Sequence, residues 1–286
     1  RKKNDYESVA EITEEIRHCI CYPNLMKIDT EDVKILGPQG NVNTRIYKPE
    51  GEGTISSSDL LPWRKFSMNS IEVYEYVCRY LAYTGNMIVV APDYHLAPEY
   101  KFPAGLNEAY ETLVWTKNNI GLYYGDEGNI SVAGDSSGGN FAAAVSIMAR
   151  DQEGPKIRKQ ILFYPLTTNY EEEITDSEQH YQVGYFLNYN CMNNPMAHYF
   201  ENEEDVKNSL ASPLLEDNLK GLPPACFISA ECDPLLDQGL QYAAKLQDAG
   251  VKVEYHILKG MLHGFINRTY GKSFEALELA ADFVNN

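Results

Sequence analysis

No stretch of this chain reaches the roughly 18 consecutive apolar residues that a membrane-spanning helix needs, and no secretion-signal core stands near its start. Stable membrane insertion is therefore not expected. Positive charge is scarce as well: 24 Lys and Arg stand against 41 Asp and Glu, a formal net charge of −17. Such a surface repels a phosphate backbone and an anionic bilayer alike, so no nucleic-acid partner is expected. Cysteines are few, at Cys19, Cys21, Cys78, Cys191, Cys226 and Cys232. None forms a CxxC pair and none stands at zinc-ligand spacing from a histidine, so neither a metal site nor a disulfide framework is expected. Cys226 lies inside an apolar run and reads as a reduced core thiol, which fits a cytoplasmic setting. Repeats and low-complexity linkers are also missing. The chain opens on Arg1, so further natural residues are expected before it.

Hydrophobic residues make up 44% of the 286, enough for a sizeable core, and the length suits a single α/β domain with a small cap. Aromatic residues reach 12%, with 21 tyrosines, compatible with an apolar pocket that has polar tips. Residues 6–21 carry apolar positions at helical spacing among charges. Residues 32–37 and 42–48 alternate around Gly37-Pro38-Gln39-Gly40 and read as an antiparallel hairpin at a sheet edge. From residue 70 onward strands and helices alternate. Strands are expected at Met87–Ala91, Ile130–Ala133, Ile161–Tyr164, Ala225–Ala230 and Val251–Ile257. Helical patterns fall near 70–84, 104–118, 138–150, 236–249 and 272–284. Apolar strands joined by helices imply a mostly parallel central sheet covered by helices on both faces. The acidic, aromatic interval 166–212 breaks the rhythm and is too long for a plain loop. It is expected to form a small helical cap, together with about residues 1–25.

Gly134-Asp135-Ser136-Ser137-Gly138-Gly139 stands between the strand Ile130–Ala133 and the helical run from Asn140. A GxSxG motif in a strand–turn–helix context points to an exposed nucleophilic serine, Ser136, with the Ser137 backbone N–H as an oxyanion donor. A serine hydroxyl needs a base. Of six histidines, His18 lies in the first helix, His180 and His198 in the cap, His95 in a proline-containing loop and His256 within a strand. His263 follows the last expected strand, on the sheet edge where Ser136 should stand. The orienting acid should fall between them in the chain, and Asp233 follows the strand Ala225–Ala230. Glu231 and Asp237 are neighbouring alternatives, Asp237 being expected one turn into the next helix and solvated. Two N-glycosylation triplets occur, at Asn129 and Asn267. Asn129 opens a buried strand, so that match reads as chance.

These residues resemble the hormone-sensitive-lipase-like family of α/β-hydrolase carboxylesterases. Asp93-Tyr94-His95-Leu96-Ala97-Pro98-Glu99 followed by Phe102-Pro103-Ala104 is similar to the family's DYRLAPE…FPA segment, with His95 where arginine is usual. Gly134–Gly139 is similar to GDSAGG, with Ser137 replacing alanine. Ala211-Ser212-Pro213-Leu214, Gly221-Leu222-Pro223-Pro224, Asp233-Pro234-Leu235 and His263-Gly264-Phe265 also match. The resemblance runs from about residue 70 to the C-terminus, and more loosely over 30–50. It implies an α/β-hydrolase fold with a cap, hydrolysis of short-chain acyl esters of small molecules, no cofactor, and a triad of Ser136, Asp233 and His263. Tyr94, Tyr185 and Phe186 are candidate pocket-lining residues. A homodimer is compatible with the sequence.

One family element is absent. A His-Gly-Gly-Gly-type segment, whose N–H groups supply most of the oxyanion hole, should precede the helix near 70–84, yet no glycine occurs from Thr54 to Asn69. Ser56-Ser57-Ser58-Asp59 also has poor strand propensity. A strand is nonetheless expected near 55–61, as the least regular part of the sheet. Pro62-Trp63-Arg64-Lys65-Phe66 can be encoded as CCA TGG AGG AAA TTT, which one base later reads His-Gly-Gly-Asn-Phe. A frameshift with a compensating shift before Ser70 would thus explain the segment. If the written residues stand, losing one oxyanion donor alone costs roughly 10²–10³ in turnover. A weak or inactive ligand-binding homologue is then the alternative function.

Overall fold

The computed structural model describes residues 27–50, 55–61, 71–170, 173–187, 198–268 and 271–286. The helix expected at 6–21 and the segment 62–66 lie outside these residues. Strand β1 (Ile28–Gly37) and strand β2 (Gly40–Pro49) form the expected hairpin, paired from Ile28 opposite Pro49 to Gly37 opposite Gly40. Gly40 sits at φ +126°, a conformation that glycine alone adopts freely. The remaining strands are β3 (Ile55–Leu61), β4 (Met87–Asp93), β5 (Gly125–Asp135), β6 (Ile157–Phe163), β7 (Ala225–Cys232) and β8 (Val253–Leu262). All eight join one sheet in the order β1-β2-β4-β3-β5-β6-β7-β8. β2 meets β4 antiparallel, and every pair from β4 to β8 is parallel.

Among the described residues the α-helices are α1 (Glu75–Gly85), α2 (Ala104–Asn119), α3 (Ser137–Asp151), α4 (Asp176–Tyr181), α5 (Leu236–Asp248) and α6 (Ser273–Asn285). Val77, Cys78 and Leu81 of α1 cluster with Ala276, Leu277 and Val284 of α6 on one face of the sheet. Leu106 and Leu113 of α2, Phe141 and Val145 of α3, and Tyr242 and Leu246 of α5 build the other. Sandwiched between helices, β4 has no polar face: Ile88, Val89, Val90 and Ala91 are all fully buried.

The strand expected near 55–61 forms, and it lies in mid-sheet. Ser56–Asp59 pair with Met87–Val90 of β4, while Ser57–Leu61 pair with Ile130–Gly134 of β5. One register shift occurs between Ile55 and Ser57, but β5–β6 and β7–β8 carry similar shifts. β3 is therefore not the least regular strand by its pairing. A backbone ladder on each side sets its conformation against the preference of its residues.

The interval 166–212 is described at 166–170, 173–187 and 198–212. Helix α4 is capped at its start by Thr175, whose hydroxyl accepts the Glu178 N–H. The helix docks beside the end of β7: the Ser177 N–H donates to Asp237 at 2.7 Å and the Ser177 hydroxyl to the Pro234 carbonyl at 2.8 Å. Tyr199 and Phe200 pack against Phe102. Among the described residues no helix is long and apolar enough to cross a membrane.

Candidate active site

The second half of β5 is buried and runs straight into α3, and the turn between them holds one residue in an unusual conformation. Ser136 has φ +56° and ψ −116°, a region that a side chain enters only under constraint. The constraint comes from close main-chain packing. A Cβ on Gly134 would stand 2.1 Å from the Gly138 carbonyl oxygen, and one on Gly139 would stand 2.9 Å from Pro165 Cβ. The Ser136 N–H donates to the Phe163 carbonyl, and its own carbonyl accepts from Asn140 N–H and Leu166 N–H. Enclosed in this way, Ser136 is only 5% exposed, where the motif alone suggests a hydroxyl standing clear of the surface. Ser137 is the first residue of α3 and buried. Its N–H belongs to the helix's first turn, whose donors have no partner within the helix.

Two further parallel strands end at the same edge of the sheet. Asp233 follows β7 and His263 follows β8. His263 Nδ1 lies 2.7 Å from Asp233 Oδ2, and His263 Nε2 lies 2.8 Å from Ser136 Oγ. An ionised carboxylate only accepts, so Nδ1–H donates to Asp233 and Nε2 is left to accept the Ser136 hydroxyl. Asp233 Oδ1 accepts the Leu235 N–H at 2.9 Å, which fixes the carboxylate's rotation. His263 and Asp233 are almost fully buried, so both hydrogen bonds sit away from water.

The alternative acids point elsewhere. Asp237 accepts the Ser177 N–H, so it ties down α4 instead of being merely solvated, and Glu231 accepts the Gly260 N–H. Tyr94 is buried against Phe141, 5.0 Å between ring centroids. Tyr185 and Phe186 are partly exposed on the segment after α4, Tyr185 against Tyr181 and Phe186 beneath the Arg268 guanidinium. His95, in the place of the family's arginine, uses its backbone N–H and Nδ1 to reach both oxygens of the fully buried Glu108. Asn267 of the second glycosylation triplet turns inward to Tyr74 and Asp135.

A group that sequence reasoning passed over surrounds Asp135. Its carboxylate is fully buried and accepts from Tyr74, Tyr164 and Asn267. Burial first, and then the nearby Asp135 charge, push the Tyr74 and Tyr164 phenols well above the usual range, so both remain protonated donors. The available signal was an acidic residue at the end of an apolar strand. Among the described residues one group, Cys226, Glu254 and His256, gathers potential metal-ligand atoms within 4.8 Å of one another. The nearby Lys159 ammonium donates to the Phe283 and Val284 carbonyls and lies over the Phe283 ring.

An eight-stranded, mostly parallel sheet with a serine on a strained strand-to-helix turn defines an α/β hydrolase. The chain belongs to that family: residues 65–267 match the family described as alpha/beta hydrolase fold. The chain is similar to an arylesterase of Saccharolobus solfataricus, 34% identical over 242 residues, covering 83% of this chain and 77% of the relative. A solved esterase of Pyrobaculum calidifontis matches with TM-score 0.89 and 33% identity, over 100% of this chain and 94% of that one. A thermostable carboxylesterase cloned from a metagenomic library matches with TM-score 0.87 and 34% identity, over 96% of both chains. The likeness to the hormone-sensitive-lipase-like carboxylesterases, read first from short motifs, thus holds along most of the chain.

Proposed function

We propose that this carboxylic ester hydrolase works through an acyl-enzyme, with Ser136 as nucleophile, His263 as general base and Asp233 as the acid that orients the histidine. What carries the reading is the unbroken pair of short hydrogen bonds, 2.8 Å and 2.7 Å, that joins a buried alcohol, an imidazole and a carboxylate. Ser136 Oγ attacks the ester carbonyl carbon while its proton passes to His263 Nε2. The carbonyl electron pair moves to oxygen, where the Ser137 N–H at the start of α3 is the donor assigned to it. Collapse expels the alcohol, protonated by His263, and leaves the acyl group on Ser136. Water then attacks the acyl carbon, giving its proton to the same nitrogen; collapse breaks the bond to Ser136 Oγ, which takes that proton back from His263, and the acid departs. Asp233 keeps the imidazole in the productive tautomer and stabilises the imidazolium formed twice per cycle.

The substrate assigned is a small-molecule ester with a short acyl chain. The cap, taken as residues 166–212 with about 1–25, supports this. Its described part is anchored by Ser177 on Asp237 and carries Tyr185 against Tyr181 and Phe186 beneath Arg268, five residues past His263. A series of p-nitrophenyl esters of rising acyl length tests it: turnover should peak on the short chains, and a peak on long chains overturns it. A cytoplasmic setting belongs to the same reading, supported by the free thiols Cys78, Cys226 and Cys232.

The second reading is a ligand-binding homologue, favoured by the lack of glycine from Thr54 to Asn69. A fluorophosphonate separates the two. Rapid phosphonylation at Ser136 supports the esterase, and an unmodified serine supports the binder. Sequencing the coding DNA over residues 62–66 decides whether a shifted frame has hidden the glycine-rich segment.

A further inference from the structure

The acyl-transfer scheme uses three side chains, yet a fourth ionisable group lies one peptide bond from the nucleophile. Asp135 ends β5 with its side chain wholly out of solvent. A carboxylate there is tolerated only where donors replace water, and an apolar residue would fill the same space without that demand. Asp135 Oδ2 accepts from Tyr74 Oη at 3.2 Å, Tyr164 Oη at 3.1 Å and Asn267 Nδ2 at 3.3 Å. Asn267 Nδ2 also donates to Tyr74 Oη at 3.0 Å. The donors come from three separate segments. Tyr74 closes the 3₁₀ turn Ile71–Tyr74 ahead of α1, Tyr164 follows β6, and Asn267 ends the 3₁₀ turn Phe265–Asn267 just past His263.

Tyr164 carries the connection to the base. Its φ of +33° is rare for a tyrosine. That backbone directs the ring to 4.8 Å from the His263 ring and 5.2 Å from Phe265, centroid to centroid. One side chain thus packs on the histidine's ring and on Phe265 in the same loop, while its own hydroxyl is held by Asp135.

We propose that Asp135 and Tyr164 are positioning residues for acyl transfer: the buried carboxylate fixes the Tyr164 hydroxyl, and the Tyr164 ring fixes the plane of His263 between Ser136 and Asp233. This rests on the triad reading above. The imidazole must serve first the Ser136 oxygen and then the leaving group from nearly one position, and small misplacements of such a group are expensive in rate.

The test compares the full chain with Tyr164→Phe, Asp135→Asn and a control, Tyr242→Phe, which removes a buried hydroxyl that makes no hydrogen bond and lies in the core cluster that does not contain Tyr164. Tyr164→Phe should lower kcat by about 10- to 100-fold, with KM within about twofold and a melting temperature close to the control's. Asp135→Asn should lower kcat at least as much, and Tyr242→Phe should leave it unchanged. The far-downfield proton signal of His263 Nδ1–H should sharpen in the parent and broaden in Tyr164→Phe. Wild-type kcat in Tyr164→Phe, or a loss shared equally by Tyr242→Phe, overturns the proposal. Fluorophosphonate labelling of the parent separates the two failures. An unlabelled Ser136 sinks the triad reading, whereas a labelled Ser136 with an unaffected Tyr164→Phe sinks only the positioning role.

Discussion

At the scale of single residues, the site depends on which atom holds which proton. Asp233 accepts from both His263 Nδ1–H and Leu235 N–H, so exchange of its carboxylate for an amide leaves the shape and alters one partner. Asp233→Asn can offer an N–H to Nδ1, which favours the tautomer whose Nε2 can no longer take the Ser136 proton. We expect kcat to fall by about 10⁴-fold with little change in melting temperature, the effect of the same exchange in the serine-protease triad. Ser136→Ala should lose at least as much and should fail to react with a fluorophosphonate. Steady-state kinetics on a p-nitrophenyl ester, beside thermal unfolding, checks both; a small kcat effect from either would move the chemistry elsewhere. That Ser136, His263 and Asp233 would converge was legible because chain order and loop position agree for each. Tyr164 and Tyr74 were not legible, since tyrosine at the end of a strand or before a helix is ordinary and only the fold brings both to Asp135.

At the scale of elements, the turn from β5 to α3 works only because two segments of main chain nearly touch. Gly134→Ala would place a methyl 2.1 Å from the Gly138 carbonyl oxygen, a contact that side-chain rotation cannot relieve. The helix start must move, and Ser136 with it. Activity should fall below detection and stability should drop by about 3 kcal/mol or more, readable by urea unfolding; full activity would mean that the turn is far softer than its packing suggests. A second tie joins the loop after β4 to α2, where His95 gives two hydrogen bonds to the buried Glu108. His95→Ala removes the ring donor and should cost about 1–3 kcal/mol, while His95→Arg should recover much of it because guanidinium also donates. Loss from the arginine variant equal to that from alanine would show that the space, not the donor, matters. Most elements were readable from apolar runs and helical spacing. Strand β3 was the hard one. Its Ser56-Ser57-Ser58-Asp59 has poor strand propensity, so the strand was expected from its place in the α/β order, and pairing with β4 and β5 on either side is what holds it.

For the whole molecule, the strongest demand on pH comes from hydroxyl and thiol groups sealed into the core. Burial pushes the Cys226 thiol up to about 12, and it pushes Cys78 and the phenols of Tyr74, Tyr164 and Tyr199 further. In the unfolded chain the thiols ionise near about 8.5 and the phenols near about 10. Above those values the unfolded state sheds protons that the folded state keeps, so folding loses stability as pH rises. For Cys226 the loss opens near about 8.5 and closes near 12, at up to about 1.4 kcal/mol per pH unit. The formal charge of −17 works in the same direction, because lysines neutralised near about 10.4 leave the acidic surface less balanced. The urea midpoint under reducing conditions should therefore hold steady from pH 7 to 8 and fall clearly by pH 10.5. Cys226→Ala lowers stability at every pH through the volume it removes, yet its fall between pH 8.5 and 10 should be shallower than the parent's. Equal slopes in that interval would mean that the Cys226 thiol ionises within the folded protein, and that the core beneath α6 admits water.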